Sequence, residues 1–522
     1  MLDVSTLLGG IGVGLAVYFI LRAFQVSQLP PLPPGPRGLP VLGNLKDLPP
    51  PGMLEATHWL KHKELYGPIS SVTVMGQTII IINDANIAFE LLDKRSIKYS
   101  SRPKLVFSGE MVGWEDSVGF SGYNERFKTY RKNMARIIGS KAAAAGYNGL
   151  QEAEVGHFLL HVLDKPANLV DHIRKSTSRE AGSVILKIAY NYTAEPFKED
   201  VLINMAGKSM DNFATAGVPG AFLVDILPFL RYVPDWMPGT SFKRLARQWA
   251  SELEDLLEKP YAFVKYQHSL GRKDNSFVTR LLEAGDSTAE EKLTNKWSAA
   301  SLYAAGADTT VSSLACFFLA MKLYPEVQRK AQEEIDYRSN MPYLDAIVKE
   351  VLRWHPIAPM GLPHTCTEDD IFDGYLIPKG SMVISNILHF AHDPEVYSEP
   401  MAFKPERFLS SDGSPELDPQ TYAFGFGRRV CPGRVLAENA LFLNIAQSLA
   451  VFNISKDEKE PGMELKFTPG VVSHPEPFKA IIRPRSARHE RPLCGQGSRK
   501  HVREIGDWEI TRMDQTRIGR CQ

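Results

Sequence analysis

The sequence predicts a mainly α-helical protein with small β-sheets, built as one domain behind an N-terminal membrane anchor. Three observations predict it. Segments with helical patterning dominate the body of the chain. Strand signals are few and short. No linker interrupts residues 41–485 of the 522, so a length prior of about 150 residues per domain is set aside.

The anchor comes first. Val4 to Leu21 carries no charge, close to the roughly 18 residues a span requires. Asp3 precedes this run, and Arg22, Arg37 and Lys46 follow it, which puts the body on the cytoplasmic side. A cleaved signal peptide is the alternative, but Tyr18-Phe19-Ile20-Leu21-Arg22 offers no small-x-small cleavage site. Residues 1–22 are therefore read as a transmembrane anchor and 23–40 as a hinge. Pro30-Pro31-Leu32-Pro33-Pro34-Gly35-Pro36 gives the hinge a stiff extended segment, suited to a spacer.

In the body, Ile69 to Ile82 reads as two strands around a Gly76-Gln77 turn, and 85–94 as a short helix. Helical patterning follows at 123–140, 151–163, 173–190, 245–270 and 296–323, the last stopped by Pro325. Residues 326–336 and 342–353 continue it, Gly374 to Ile387 reads as strand, turn and strand, and 432–452 as a final long helix. There is no internal repeat and no GxGxxG, so the chain does not read as a dinucleotide-binding fold. Residues 41–485 form the globular domain, and the basic 486–522 tail, poor in apolar periodicity, reads as disordered.

Lys plus Arg and Asp plus Glu number 60 each, so bulk charge gives no pointer to nucleic acid or an acidic partner. The five cysteines, at 316, 366, 431, 494 and 521, form no CxxC pair. That argues against a disulfide scaffold or a structural zinc site and for a reducing compartment.

The densest chemistry lies in Phe424-Gly425-Phe426-Gly427-Arg428-Arg429-Val430-Cys431-Pro432-Gly433. Glycines let the backbone approach a flat cofactor closely. Pro432 suits the first turn of the helix that runs to about Phe452. This puts Cys431 near the N-cap, where helix amides, with Arg428 and Arg429, favour the thiolate. A soft thiolate is what haem iron needs for dioxygen chemistry. A cysteine nucleophile with a positioned His, or a buried structural cysteine, are the alternatives.

This segment resembles the haem-binding loop of the cytochrome P450 family, with Phe424, Gly427, Arg429, Cys431 and Gly433 matching its pattern. The resemblance runs from the hinge to about residue 484. It implies the cytochrome P450 fold, haem b, and Cys431 as the iron ligand. Ala305-Gly306-Ala307-Asp308-Thr309-Thr310 resembles the family's oxygen-activation motif. Gly306 costs a helix about 1 kcal/mol relative to alanine, and Thr309 can bond back to Ala305 and bend it. Small residues and a bend would leave a groove for a diatomic ligand, with a hydroxyl from Thr309 and a proton route through Asp308.

Glu350-Val351-Leu352-Arg353 resembles the family's Glu-x-x-Arg, and Pro405-Glu406-Arg407-Phe408 the segment that completes it. On its own an i, i+3 pair is a solvated surface contact; the resemblance implies a buried structural lock. Arg131, Arg429 and His364 are the candidates for the haem propionates. Where the family has Trp-x-x-x-Arg, this chain has Phe127-Lys128-Thr129-Tyr130-Arg131, so one indole N–H is missing, with Lys128 as a possible replacement. Val106, Phe107, Met111, Trp114, Ile357 to Leu362 and Gly470 to Val472 align with recognition loops. They are mostly apolar, implying a hydrophobic substrate, and equally suit core packing.

The connection from Tyr337 to Asn340 is shorter than in the family. The resemblance is greatest to fungal microsomal members. It implies a monooxygenase that hydroxylates or epoxidises a small hydrophobic molecule in secondary metabolism. Electrons would come from NADPH through NADPH-cytochrome P450 reductase, and O2 would be the co-substrate. The location implied is the endoplasmic reticulum membrane, single-pass, with the catalytic domain cytoplasmic. A haem protein without turnover, and one that rearranges a peroxide or desaturates, stay open beside it; the Asp308-Thr309 pair favours oxygen insertion.

Overall fold

A computed structural model describes residues 29–50, 52–165, 178–194, 199–218, 220–272, 274–285, 288–337, 340–409, 414–457 and 465–485. The anchor, the start of the hinge and the tail expected at 486–522 lie outside the described residues, as do Arg338 and Ser339 of the short connection.

Helices dominate, as expected. In chain order the longer ones are α1 (Glu55–Tyr66), α2 (Glu125–Ile138), α3 (Asn148–Asp164), α4 (Ser178–Tyr190), α5 (Val201–Ala216) and α6 (Ser241–Ser269). They continue with α7 (Phe277–Ala284), α8 (Ala289–Leu323), α9 (Pro325–Tyr337), α10 (Pro342–Trp354), α11 (Ile387–His392) and α12 (Arg434–Val451). Sequence patterning missed α1, α5, α7 and α11 and started α8 two turns late. The true start of α8 is a capping box: Thr288 accepts from the Glu291 amide while the Glu291 side chain accepts from Thr288.

A four-stranded sheet joins β1 (Ile69–Val74), β2 (Gln77–Ile82), β3 (His364–Thr365) and β6 (Met382–Ser385), in the order β1-β2-β6-β3. The β1–β2 turn is Met75-Gly76, not Gly76-Gln77, because both central residues take positive φ, 49° and 88°, as a type I′ hairpin requires. The expected strand pair between 374 and 387 also divides. β5 (Tyr375–Ile377) turns back through Asp373-Gly374 onto β4 (Asp370–Phe372), whereas β6 runs parallel to β2 and antiparallel to β3. β7 (Phe452–Ser455) pairs with β8 (Ile481–Pro484).

The proline segment is not a free spacer. Ser71 donates to the carbonyls of Pro33 (2.6 Å) and Pro34 (2.9 Å), and the Leu376 amide donates to Pro31 (2.8 Å). Residues 31–34 therefore lie against β1 and β5, strands of two different sheets.

Helix α8 threads the core, with α4 against it. A Cβ at Gly306 would stand 2.6 Å from Ile185 Cγ1 on α4. This glycine is thus a close-packing residue between two helices, and α8 stays α-helical through Thr309. Among the described residues α8 is also the one helix long and apolar enough to cross a membrane, but most of it is buried inside the protein.

The short connection is accommodated by α9 itself. Glu334 on α9 accepts from the amides of Tyr343 (3.0 Å) and Leu344 (2.9 Å) and so caps α10. Glu350 and Arg353 on α10 are wholly buried and doubly bonded, at 2.8 and 2.7 Å. Arg407 approaches Glu350 at 3.2 Å, and Glu416 at 2.6 Å. The Tyr397 ring lies beside both guanidinium groups, and its hydroxyl meets that of Tyr422 at 2.6 Å, just ahead of the cysteine loop. The expected lock is present as geometry.

Candidate haem site

The cysteine loop closes on itself. The Cys431 amide donates to the Phe424 carbonyl at 2.8 Å. Gly425 and Gly427 take positive φ, 81° and 50°. Gly427 is the more constrained, since a Cβ there would meet the Leu92 carbonyl oxygen at 2.6 Å and Ser96 at 2.8 Å. Gly433 has ordinary φ of −91° and caps α12, which begins at Arg434. Pro432 therefore precedes the helix instead of opening it, and Cys431 lies in the loop ahead of the cap.

Cys431 is only part-buried, unlike Cys316 and Cys366, which are buried. Burial pushes its thiol up, offset in part by the Gly433 amide, Arg131 and Arg434. The cations that oppose burial are thus not Arg428 and Arg429. Arg428 donates to the Tyr123 hydroxyl at 2.7 Å. Arg429 turns to the carbonyls of Ser100 (2.6 Å), Val118 (3.3 Å) and Ser121 (2.7 Å).

Arg429 belongs instead to a buried basic cluster. The β3 strand brings His364 to the sheet edge, and the Thr365 amide donates to Ser101 at 3.0 Å. That bridge carries Arg102 to His364. Arg102 donates to the carbonyls of Gly119, Leu362 and Pro363 at 2.7–2.9 Å. Arg131 on α2 donates to the Val430 carbonyl at 2.5 Å. Among the described residues none of these three arginines is paired with a carboxylate. Burial, then Arg429, pulls Arg102 well down; burial, then Arg131, pulls Arg429 to about 9. His364 is held well below the usual imidazole range by burial and then Arg102.

Sequence reasoning missed Arg102. Its only local signal is Pro103, which favours extended backbone before it. Lys128, proposed to replace the missing indole, points outward to Glu125 at 2.6 Å. Phe127 has another partner: its ring centre lies 3.7 Å from the Arg429 guanidinium.

On α8, Ala305 is exposed although residues 302–304 are buried, and Thr309 is half-buried one turn on. Thr309 Oγ1 donates to the Ala305 carbonyl at 2.9 Å, as expected. Asp308 faces His474 Nε2 at 3.4 Å. Phe107 and Trp114, aligned with recognition loops, are core residues here: Phe107 stacks on Phe222 at 3.4 Å, and Trp114 packs on Phe213 and Trp297.

These residues fit a haem. Buried like charges without counter-ions are costly, and a dianionic cofactor relieves that cost through its propionates. A lone accessible cysteine suffices as protein ligand when the metal brings four nitrogens of its own. The model of the family described as Cytochrome P450 matches residues 33–482.

The chain belongs to the cytochrome P450 family.

Similar proteins include cytochrome P450 monooxygenase claR of Ampulloclitocybe clavipes, 48% identical over 96% of this chain and 94% of the relative. Cytochrome P450 monooxygenase ppsD of Aspergillus oryzae is 46% identical over 89% of this chain and 91% of its own length. The O-methylsterigmatocystin oxidoreductase of Aspergillus flavus is 43% identical over 88% of this chain and 89% of its own. This cytochrome P450 is therefore a haem b monooxygenase, and works with O2, a reductase partner and a hydrophobic substrate, as its family does.

Proposed function

We propose that this cytochrome P450 is a membrane-anchored enzyme of fungal secondary metabolism that hydroxylates or epoxidises a small hydrophobic molecule. The observation that carries the site assignment is the pairing of an accessible Cys431 with the uncompensated cluster of Arg102, Arg131, Arg429 and His364. Cys431 would be the protein ligand to the iron, with Phe424 and Gly433 shaping its loop. The three arginines would donate to the propionates. His364 gives its Nδ1–H to the Tyr99 carbonyl at 2.7 Å, so it would donate from Nε2 once an adjacent propionate stabilises its protonated form.

A thiolate-held haem would supply the chemistry for inserting one atom of O2 into the substrate, the other leaving as water with two electrons from the reductase and two protons. The residues of this chain bind, orient and supply protons. Thr309 presents a fixed hydroxyl, and Asp308, one residue earlier, passes protons towards it. Mostly apolar recognition segments support a hydrophobic substrate. The likeness to an O-methylsterigmatocystin oxidoreductase supports a role in secondary metabolism. Electrons would come from NADPH-cytochrome P450 reductase. Residues 1–22 would hold the enzyme in the endoplasmic reticulum membrane with its catalytic domain cytoplasmic, as the charge-free run before Arg22 supports.

The test is the carbon monoxide difference spectrum of the reduced protein in microsomes. A red-shifted Soret band that Cys431→Ala abolishes is expected. A band that survives Cys431→Ala would overturn the assignment of the ligand.

A further inference from the structure

Asp308 cannot be held by its own helix. Its neighbours three and four residues away on α8 are Ala305, Ala304, Val311 and Ser312, none of them a cation. A carboxylate so placed would move among staggered rotamers. The basic group that faces it comes from the C-terminal segment: His474 Nε2, 3.4 Å from Asp308 Oδ2, with both side chains about one-fifth exposed.

His474 is itself fixed by a tight loop over residues 468–474. The Thr468 amide donates to the His474 carbonyl (2.8 Å), and the His474 amide to Thr468 Oγ1 (2.9 Å). Ser473 is gripped on every side. Its amide donates to Ile357 (2.8 Å), its hydroxyl donates to the Thr468 carbonyl (2.7 Å), and its carbonyl accepts from Ser312 Oγ (2.5 Å). Burial holds His355 neutral, pulled down to about 3, and the already donating Ser473 hydroxyl accepts its Nε2–H at 2.9 Å.

The register between loop and helix is the decisive feature. Ser473 and His474 are adjacent, and they meet Ser312 and Asp308, which stand one helical turn apart on one face of α8. The same loop carries Gly470 to Val472, and the Val471 amide donates to Ala214 on α5 at 3.4 Å.

We propose that His474 is a positioning residue: it holds the Asp308 carboxylate in the orientation that serves Thr309 and ties that orientation to the loop carrying Val471. This rests on the proton route through Asp308 proposed above. The proton passes through Asp308; His474 fixes the carboxylate and forms no covalent bond.

The test uses the full-length holoenzyme with its reductase, in membranes, and needs no substrate. NADPH oxidation is measured in H2O and D2O for the native protein, Asp308→Asn, His474→Leu, His474→Gln and the Asp308→Asn/His474→Leu pair. His474→Leu should slow oxidation about tenfold and raise the solvent isotope effect, since a displaced acid forfeits part of the roughly 10²–10⁴ that a positioned one contributes. His474→Gln, which keeps an N–H donor, should recover most of the rate. The double variant should be no slower than Asp308→Asn. Reduction under carbon monoxide, which needs no proton relay, should stay at the native rate throughout. A second measurement needs no turnover: mass-spectrometric carbethoxylation of His474 in the resting protein should run severalfold faster in Asp308→Asn, where the imidazole loses its partner. Native isotope effects in His474→Leu beside an impaired Asp308→Asn would overturn the inference alone. Multiplicative effects in the double variant, or unchanged labelling, would do the same. A native Asp308→Asn would overturn the proton route itself. If His474→Leu fails to fold, His474→Gln and the labelling decide.

Discussion

The guanidinium of Arg429 lies 3.7 Å from the centre of the Phe127 ring, so the residue that lacks an indole N–H serves as a platform for a neighbouring cation. Phe127 is almost fully buried, as is Arg429. The ring thus steadies an arginine whose acceptors, among the described residues, are backbone carbonyls.

Phe127→Leu keeps the apolar volume and removes the ring. It should lower stability by about 1–2 kcal/mol and speed haem transfer to an acceptor apoprotein. Thermal unfolding and haem-transfer rates check it. Phe127→Trp should slow haem transfer. Equal transfer rates in all three proteins would show that the platform is irrelevant to the cofactor.

Glu350→Gln leaves Arg353 and Arg407 without their shared buried carboxylate. A loss of about 3–5 kcal/mol is expected, seen as a lower unfolding midpoint and a poor yield of haem-loaded protein. Lys330→Ala, which breaks the largely exposed pair with Glu406, should leave the midpoint nearly unchanged.

Gly306→Ala gains helix propensity but drives a methyl group into Ile185. Net destabilisation of about 1–3 kcal/mol is expected. Combined with Ile185→Ala, the loss should be smaller than the sum of the two single losses. A double-mutant cycle by thermal unfolding checks this, and strict additivity would place the contact elsewhere.

Asp225 gives a pH signature. Burial lifts its carboxyl from 3.8 to about 6, while it accepts from the Phe107 amide at 2.8 Å. Between those values the folded protein keeps a proton that the unfolded chain has lost. Stability from this group therefore falls as pH rises through about 6, by roughly 3 kcal/mol in all. His355, His389 and His392 act oppositely: burial pulls them to about 3, 4 and 4. Their contribution is complete above about 6.5 and is lost as pH falls. Asp225→Asn should therefore raise the unfolding midpoint at pH 7 and make its decline towards pH 4 steeper. Parallel curves for the two proteins would contradict this.

Much of the site was legible because it is local. Phe424 to Gly433 holds its chemistry in ten consecutive residues, and Glu350 and Arg353 share a face by helical spacing alone. Thr309 reaches Ala305 one turn back, as its spacing implied. What was not legible is non-local. Arg102 meets His364 through a bridge between residues 101 and 365, and nothing at either position announces the other. The support of the Cys431 thiolate expected from Arg428 and Arg429 did not appear, for a related reason. Position in sequence fixed their proximity to Cys431, but the direction of each of these two side chains was set by acceptors contributed from elsewhere, whereas Lys128 turned to Glu125 on its own helix.

The sequence by itself determined the helical class and the family, and placed the cysteine loop on which the proposed site rests, since periodicity and short motifs are properties of neighbouring residues. Tertiary structure alone decided that Gly306 faces Ile185, that a buried basic cluster assembles from residues 102, 131, 364 and 429, and that His474 reaches Asp308 across 166 positions. Such contacts depend on how strands pair and helices pack, and packing brings together residues whose separation along the chain carries no trace of it.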